Sequence, residues 1–75
     1  MQELIEYVAR GLVSNPDEVS VEEIPSGRLT LYEITVAEDD VGKIIGRQGK
    51  VIRALRTLVK ASATRQGIRV DVDVA

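Results

Sequence analysis

The sequence contains no cysteine, no histidine, no tryptophan and no phenylalanine, and two tyrosines supply its only aromatic rings. Without cysteine and histidine the chain has no disulfide framework, no thiolate nucleophile and no histidine general base, and it lacks the usual zinc ligands. Most catalytic devices of small proteins are therefore excluded. We expect no catalytic residue, no metal site and no cofactor.

Long hydrophobic runs are also absent. No segment approaches the roughly 20 consecutive apolar residues of a membrane span, and the start, Met1-Gln2-Glu3, lacks the basic residues and apolar run of a signal peptide. The expectation is a cytoplasmic protein with no membrane partner. Because 75 residues suffice for only one hydrophobic core, we expect a single domain over residues 1–75.

Basic residues are distributed unevenly along the chain. Eight of the ten, and no acid, lie between Val41 and Val70, whereas the rest of the chain carries all twelve acids and only Arg10 and Arg28. A polyanion-binding surface on an otherwise acidic molecule would produce this distribution. A helix with a solvated, Lys/Arg-rich side would also produce it, so charge alone leaves both interpretations open.

Hydrophobic spacing predicts a helix, a β-hairpin, two more helices and a final strand. The fold class is therefore α+β, with the order αββααβ and a three-stranded sheet that has helices packed on one face. The predicted segments are Gln2 to Val13, Val19 to Ile24, Leu29 to Ala37, Val41 to Ile45, a helix from Lys50 to a Gln66-Gly67 cap, and Ile68 to Val74.

Residue chemistry adds three local expectations. Pro25-Ser26-Gly27-Arg28 is typical of the hairpin turn. Glu38-Asp39-Asp40 is expected to provide the N-cap and the first-turn acids of the short helix. The long helix has an apolar stripe that is expected to face the core, formed by Val51, Ile52, Leu55, Leu58, Val59 and Ala63.

Gly46 and Gly49 form a G-x-x-G motif between the two helices. An elbow of this kind leaves unpaired backbone N–H groups at a helix N-terminus, and glycine lets a phosphate approach the backbone closely. Arg47 and Lys50 add positive charge. A plain corner between helices is the alternative, and a DNA-binding helix-turn-helix with a short first helix also remains open. The spacing fits neither a P-loop nor the dinucleotide fingerprint.

The segment from Ile44 to Leu55 resembles the KH-domain signature: an apolar pair, G-x-x-G, then aliphatic residues three and six positions after the second glycine. The αββααβ order resembles the type II KH fold. The first helix ends in Asn15-Pro16-Asp17-Glu18, which is similar to the small bacterial single-KH proteins known as KH domain protein A. The resemblance covers almost the whole chain.

This resemblance implies an RNA chaperone or post-transcriptional regulator that holds about four nucleotides of single-stranded RNA on its GXXG loop. It also implies a homodimer, or a heterodimer with a larger Jag-type KH protein, and a link to cell-wall homeostasis, cell length and cell shape. The residues expected to bind RNA are Lys43, Ile44, Ile45, Gly46, Arg47, Gln48, Gly49, Lys50, Arg53 and Arg69.

The expected roles within this set differ. The four loop residues would hold phosphates, and Ile44, Ile45 and Ile52 would lie at or beneath an apolar groove floor, although helical spacing favours the core for Ile45 and Ile52. Lys43 and Arg53 would either follow the RNA backbone or solubilise the helices, and Arg69 would contact RNA at the edge.

Two other functions compete with RNA binding. A protein-interaction domain that dimerises, with weak or no RNA binding, would suit a small core that no disulfide or metal stabilises. A metal enzyme using Asp39-Asp40 or the pair Asp71 and Asp73 is disfavoured, because the first pair is explained as a helix start and the second as the solvated side of a strand. No aromatic residue lies in the GXXG segment, so base stacking is not expected and binding should tolerate different sequences.

Overall fold

The computed structural model describes every residue from Met1 to Ala75 and confirms the predicted α+β fold and its element order. Single turns of 3₁₀-helix lie in the connections at Pro16–Glu18 and Glu38–Asp40, and a tight turn with left-handed residues lies at Arg47–Gly49. The helices and strands are α1 (Gln2–Leu12), β1 (Ser20–Ser26), β2 (Leu29–Thr35), α2 (Val41–Ile45), α3 (Lys50–Arg65) and β3 (Arg69–Val74).

The sheet has β2 at its centre, with β1 antiparallel on one side and β3 parallel on the other. A parallel pair needs a crossover connection, and α2 and α3 form it. One face of the sheet is buried beneath the helices, and the other face is open. The buried residues of that inner face are Val21, Tyr32, Ile34, Val70 and Val72.

The hairpin turn is shorter than predicted. Pro25 and Ser26 continue β1, and only Gly27 and Arg28 connect the strands. Proline is tolerated here because β1 is an edge strand, where a missing N–H costs no ladder hydrogen bond. Gly27 has φ 63°, at the first turn position, where two-residue hairpins of type II′ place glycine.

The core is completed from the helices by Ile5 and Ala9 of α1, Ile44 of α2, and a line of buried residues along α3. That line consists of Ile52, Leu55, Val59 and Ala63. The predicted stripe was therefore too wide, because Leu58 is 50% exposed beside α1. The core assignment of Ile45 was also wrong: α2 ends at this residue and leaves it 38% exposed. None of the helices is both long and apolar enough to cross a bilayer.

Arg56 fastens α3 to the outer edge of the sheet. Its Nε and Nη2 donate to the carbonyl oxygen of Val72 at 3.2 and 2.9 Å, and Nε lies 2.9 Å from the carboxylate of Asp71. The Asp71 carboxylate also accepts the N–H of Val72 at 2.8 Å. These contacts occupy backbone groups that an edge strand would otherwise offer to another chain.

Asp40 does not cap α2 as predicted, since its side chain makes no capping bond to that helix. The buried carboxylate turns instead towards the loop after α1. It accepts the N–H of Ser14 at 3.0 Å and both the backbone N–H and the side-chain amide of Asn15 at 2.9 Å. The bond from the Ser14 N–H is the main reason that the pKa of Asp40 falls to about 2, against the opposing effect of burial. Asp40 thus ties α1 to the start of α2.

Candidate nucleic-acid interface

The loop Gly46 to Gly49, called the GXXG loop below, reverses the chain between α2 and α3. Gly46 has φ 75° and ψ 172°, Gln48 has φ 57° and ψ 26°, and Gly49 has φ 73° and ψ 17°. Gln48 is the only non-glycine residue of the chain with positive φ. A left-handed backbone at a residue with a Cβ is uncommon and often marks a functional loop.

Hydrogen bonds within the turn use all but two of the N–H groups from Gly46 to Lys50. The N–H of Gly46 donates to the carbonyl of Gly42 at 2.9 Å, and that of Gly49 to the carbonyl of Gly46 at 3.1 Å. The N–H of Lys50 donates to the carbonyl of Arg47. The sequence predicts unpaired N–H groups throughout the elbow. In the structure the first two N–H groups of the turn, those of Arg47 and Gln48 at the apex, are the ones with no carbonyl acceptor within it.

The two glycines serve different purposes. A Cβ on Gly46 would lie 2.3 Å from Cγ2 and 2.9 Å from the backbone nitrogen of Val51, so no side chain fits there. A Cβ on Gly49 would meet only the Nε of Arg53, at 3.9 Å. Packing therefore requires glycine at the first position, whereas only the positive φ favours it at the second.

The four cations predicted near the loop fall into two pairs. Arg47 and Lys50 are exposed and make no salt bridge within the chain. Lys43 donates to the hydroxyl of Ser14 and lies 3.4 Å from the Asp40 carboxylate. Arg53 donates to carbonyl oxygens of the GXXG loop. Two positive charges are thus available to a ligand, and the other two are engaged within the fold.

The expected apolar groove floor is only partly accessible. Ile44 is fully buried in the core and Ile52 is 8% exposed, so neither offers much surface to a ligand. Ile45 is the apolar side chain that the end of α2 leaves exposed next to the GXXG loop.

Arg69 lies at the opposite end of α3 from the loop. It begins β3 and lines a shallow concavity with Lys60, Thr64 and Ile68. Since α3 has 16 residues, it is about 24 Å long, and the concavity lies along its C-terminal part, away from the GXXG loop. The structure therefore does not bring Arg69 together with the other predicted residues. One ligand could reach both only by running along α3.

Acidic residues occupy the open face of the sheet. Glu22 of β1 is paired in register with Glu33 of β2, and Glu33 is paired with Asp73 of β3, so a row of three carboxylates crosses this face. No group of three or more acidic side chains is arranged to hold a metal ion. The row gives the molecule an acidic side, whereas the cations flank the GXXG loop. Sequence reasoning missed this row because strand register is set by tertiary pairing.

Comparison with known proteins identifies relatives along the whole chain. The family model described as KhpA/KhpB, KH domain, matches residues 2–74. A curated protein named RNA-binding protein KhpA from Caldanaerobacter subterraneus subsp. tengcongensis is 46% identical over 74 residues, which cover 99% of each chain. The protein of the same name from Halalkalibacterium halodurans is 45% identical, with 99% of this chain and 97% of that one covered. The one from Chlamydia trachomatis is 39% identical, with 99% and 95% covered.

A solved structure shares the fold. The crystal structure of Aquifex aeolicus Era bound to GDP.AlF4⁻ matches 99% of this chain with a TM-score of 0.65, over 30% of its own length. The two sequences are 21% identical in the matched region, so the likeness concerns the fold alone.

Proposed function

Because the chain belongs to the KhpA/KhpB family of KH domains, we propose that it binds single-stranded RNA without catalysing a reaction. Its role is that of an RNA chaperone or post-transcriptional regulator in the cytoplasm, linked to cell-wall homeostasis and cell length. The observation that carries the proposal is the pair of unpartnered N–H groups of Arg47 and Gln48 at the apex of the GXXG loop. Adjacent N–H groups of this kind, beside exposed cations, are suited to a phosphate oxygen.

In this proposal a phosphate of the RNA backbone accepts hydrogen bonds from the N–H groups of Arg47 and Gln48. The side chains of Arg47 and Lys50 neutralise it and its neighbour, and Ile45 offers an apolar contact to a sugar or base. About four nucleotides pass over the loop. Neither tyrosine lies in this segment, and Tyr32 is buried in the core. Base stacking on an aromatic ring therefore adds nothing here, and binding is weak and tolerant of sequence.

The distribution of charge gives RNA one preferred side. The carboxylates of Glu22, Glu33 and Asp73 cross the open face of the sheet and repel a polyanion. Arg47 and Lys50, which have no acidic partner, attract it at the loop. A net charge of −2 is therefore compatible with RNA binding at one end of the molecule.

Replacing both apex residues with aspartate, Arg47→Asp with Gln48→Asp, is expected to weaken binding of a short oligoribonucleotide by about a hundredfold or more, because carboxylates would then face the phosphates. Fluorescence anisotropy measures the affinity. The control changes a second Arg-Gln pair, Arg65→Asp with Gln66→Asp, which alters the net charge equally at the far end of α3. Unchanged affinity of the folded loop variant would reject this site.

Salt dependence provides a second measure of the same site. For single strands the slope of log K against log salt concentration is about −0.7 for each phosphate neutralised. With Arg47 and Lys50 as contacts we expect a slope near −1.4 for the wild-type chain. An affinity that does not respond to salt would contradict a site made of phosphate contacts.

Pairing with another KH domain belongs to the same proposal, and the first partner to test is a second copy of this chain. An open apolar hollow between α1 and α3 is lined by Val8, Val51, Ala54 and Leu58, and Leu58 is 50% exposed. Apolar surface of this kind is typical of interfaces. The hollow also favours the second candidate function, a dimerisation domain with weak or no RNA binding. A larger Jag-type KH protein is the alternative partner.

The change Leu58→Asp is expected to convert a dimer into a folded monomer, because a carboxylate would be buried in the apolar contact. Sedimentation velocity gives the mass, and Leu29→Asp, at an exposed leucine that begins β2, is the matched control. A monomeric wild-type chain would contradict self-pairing and leave RNA binding to be judged by the apex variant. Tight dimers that bind no oligoribonucleotide would favour the dimerisation domain.

A further inference from the structure

Arg53 bends back over the start of α3 and contacts the GXXG loop. Its Nε donates to the carbonyl oxygen of Gly49 at 3.2 Å, and its Nη2 donates to that of Gln48 at 2.5 Å. A cation in the first turns of a helix is electrostatically unfavourable, because the N-terminal end of the helix dipole is positive. Hydrogen bonds from the charged guanidinium to two carbonyl oxygens offset this disadvantage.

These two bonds complete a pattern that includes the whole loop. The carbonyl of Gly46 accepts the N–H of Gly49, and the carbonyl of Arg47 accepts the N–H of Lys50. With Arg53 on the carbonyls of Gln48 and Gly49, all four carbonyl oxygens of the GXXG loop are hydrogen-bonded within the chain. No carbonyl of the loop is left to face and repel a phosphate.

Bonded carbonyls also determine where the N–H groups point. The peptide group is planar and trans, so its C=O and N–H point in opposite directions. Fixing the carbonyls of Gly46 and Arg47 inside the loop therefore turns the N–H groups of Arg47 and Gln48 outwards. Arg53 fixes the two peptide groups that follow, where Gln48 and Gly49 are left-handed.

We propose that Arg53 is a positioning residue: its forked guanidinium holds the GXXG loop in the conformation that presents the N–H groups of Arg47 and Gln48, and it does not itself neutralise a phosphate. The inference rests on the proposed RNA-binding function and assigns Arg53 a role different from that of Arg47 and Lys50. Lysine cannot replace it, because an ammonium group on a flexible stem lacks the planar fork that spans two carbonyls.

The first experiment measures oligoribonucleotide affinity against salt concentration for the wild-type chain, Arg53→Ala, Arg53→Lys and Arg47→Ala. We expect Arg53→Ala and Arg53→Lys each to lose about tenfold in affinity through lost preorganisation, with the salt slope unchanged. Arg47→Ala is expected to make the slope less negative by about 0.7, because one phosphate contact is removed. The same change of slope in Arg53→Ala, with recovery in Arg53→Lys, would overturn the proposal.

The second experiment needs no RNA. In the free protein, ¹⁵N relaxation is expected to show increased motion at the amides of Gln48 and Gly49 in both Arg53 variants. Lys50→Ala, which removes a neighbouring charge that bonds to no loop carbonyl, should leave these amides as they are in the wild-type chain. A loop that stays equally ordered in Arg53→Ala would overturn the positioning role. A wild-type chain that binds no RNA would instead reject the proposed function, and relaxation would still decide the role of Arg53.

Discussion

Replacing Gly46 with alanine is expected to lower the free energy of unfolding by about 3 kcal/mol, through backbone strain and overpacking together. The backbone of Gly46, with φ 75° and ψ 172°, lies in a region that is essentially restricted to glycine. The new Cβ would also lie 2.3 Å from Cγ2 and 2.9 Å from the backbone nitrogen of Val51. Relief would require a shift of the first turn of α3, which carries Ile52 into the core.

Gly49→Ala is the matched control, since it makes the same chemical change three residues away. Nothing closer than 3.9 Å would meet its Cβ, so the cost is that of a left-handed alanine, about 1 kcal/mol. Urea denaturation at neutral pH measures the free energy of unfolding of both variants. In a domain of this size a difference of about 2 kcal/mol corresponds to about 8–16 °C in melting temperature. Equal losses in the two variants would contradict the packing argument for Gly46.

Asp40→Asn is expected to produce a large loss of stability at neutral pH, because the amide cannot supply the charge and both acceptor oxygens that Ser14 and Asn15 use. The carboxylate accepts three N–H donors and lies 3.4 Å from the ammonium of Lys43. In the variant at least one donor of this buried cluster would lack an acceptor, which is costly away from water. The connection between α1 and α2, the helix that leads into the GXXG loop, would weaken.

The pH dependence of this loss has a definite sign. Folding lowers the pKa of Asp40 from the ordinary 3.8 to about 2, chiefly because of the hydrogen bond from the Ser14 N–H. The stability that the carboxylate contributes is therefore complete above about pH 4 and disappears as the pH falls towards 2. The difference in melting temperature between the wild-type chain and Asp40→Asn should be constant down to about pH 4 and shrink below it.

Asp39→Asn provides the control for this profile, since Asp39 is the exposed neighbour of Asp40 in the same turn. It is expected to remain close to the wild-type chain at every pH, because a surface side chain without such bonds contributes little. A constant difference between the wild-type chain and Asp40→Asn from pH 7 to pH 2 would contradict the lowered pKa of Asp40.

Element order could be predicted from the sequence because its signals are local. The end of α3 at Gly67 is an example. The N–H of Gly67 donates to the carbonyl of Thr64 at 3.1 Å, and that of Ile68 donates to the carbonyl of Ala63 at 3.0 Å. This is a Schellman cap, which a glycine just after a helix indicates. Strict alternation likewise predicted β3, and Val70 and Val72 are buried as that pattern requires.

Burial of single side chains could not be predicted equally well. Leu58 and Ile45 fit the apolar spacing of their helices, yet they are 50% and 38% exposed. Helical spacing gives the apolar side of a helix, but the width of the buried stripe depends on what packs against it. Asp40 illustrates the same limit for polar groups. Its place before a helix predicted a cap, whereas its partners, Ser14 and Asn15, are 26 and 25 residues away in the chain.

The sequence by itself determined the type and order of the elements, the position of the GXXG loop and the concentration of basic residues around it, because each follows from periodicity, glycine placement or charge within a short segment. Only the tertiary structure decided which loop N–H groups stay unpartnered, which cations are available, and how far Arg69 lies from the site. Those properties depend on hydrogen bonds and packing between segments, and spacing along the chain does not encode such partners.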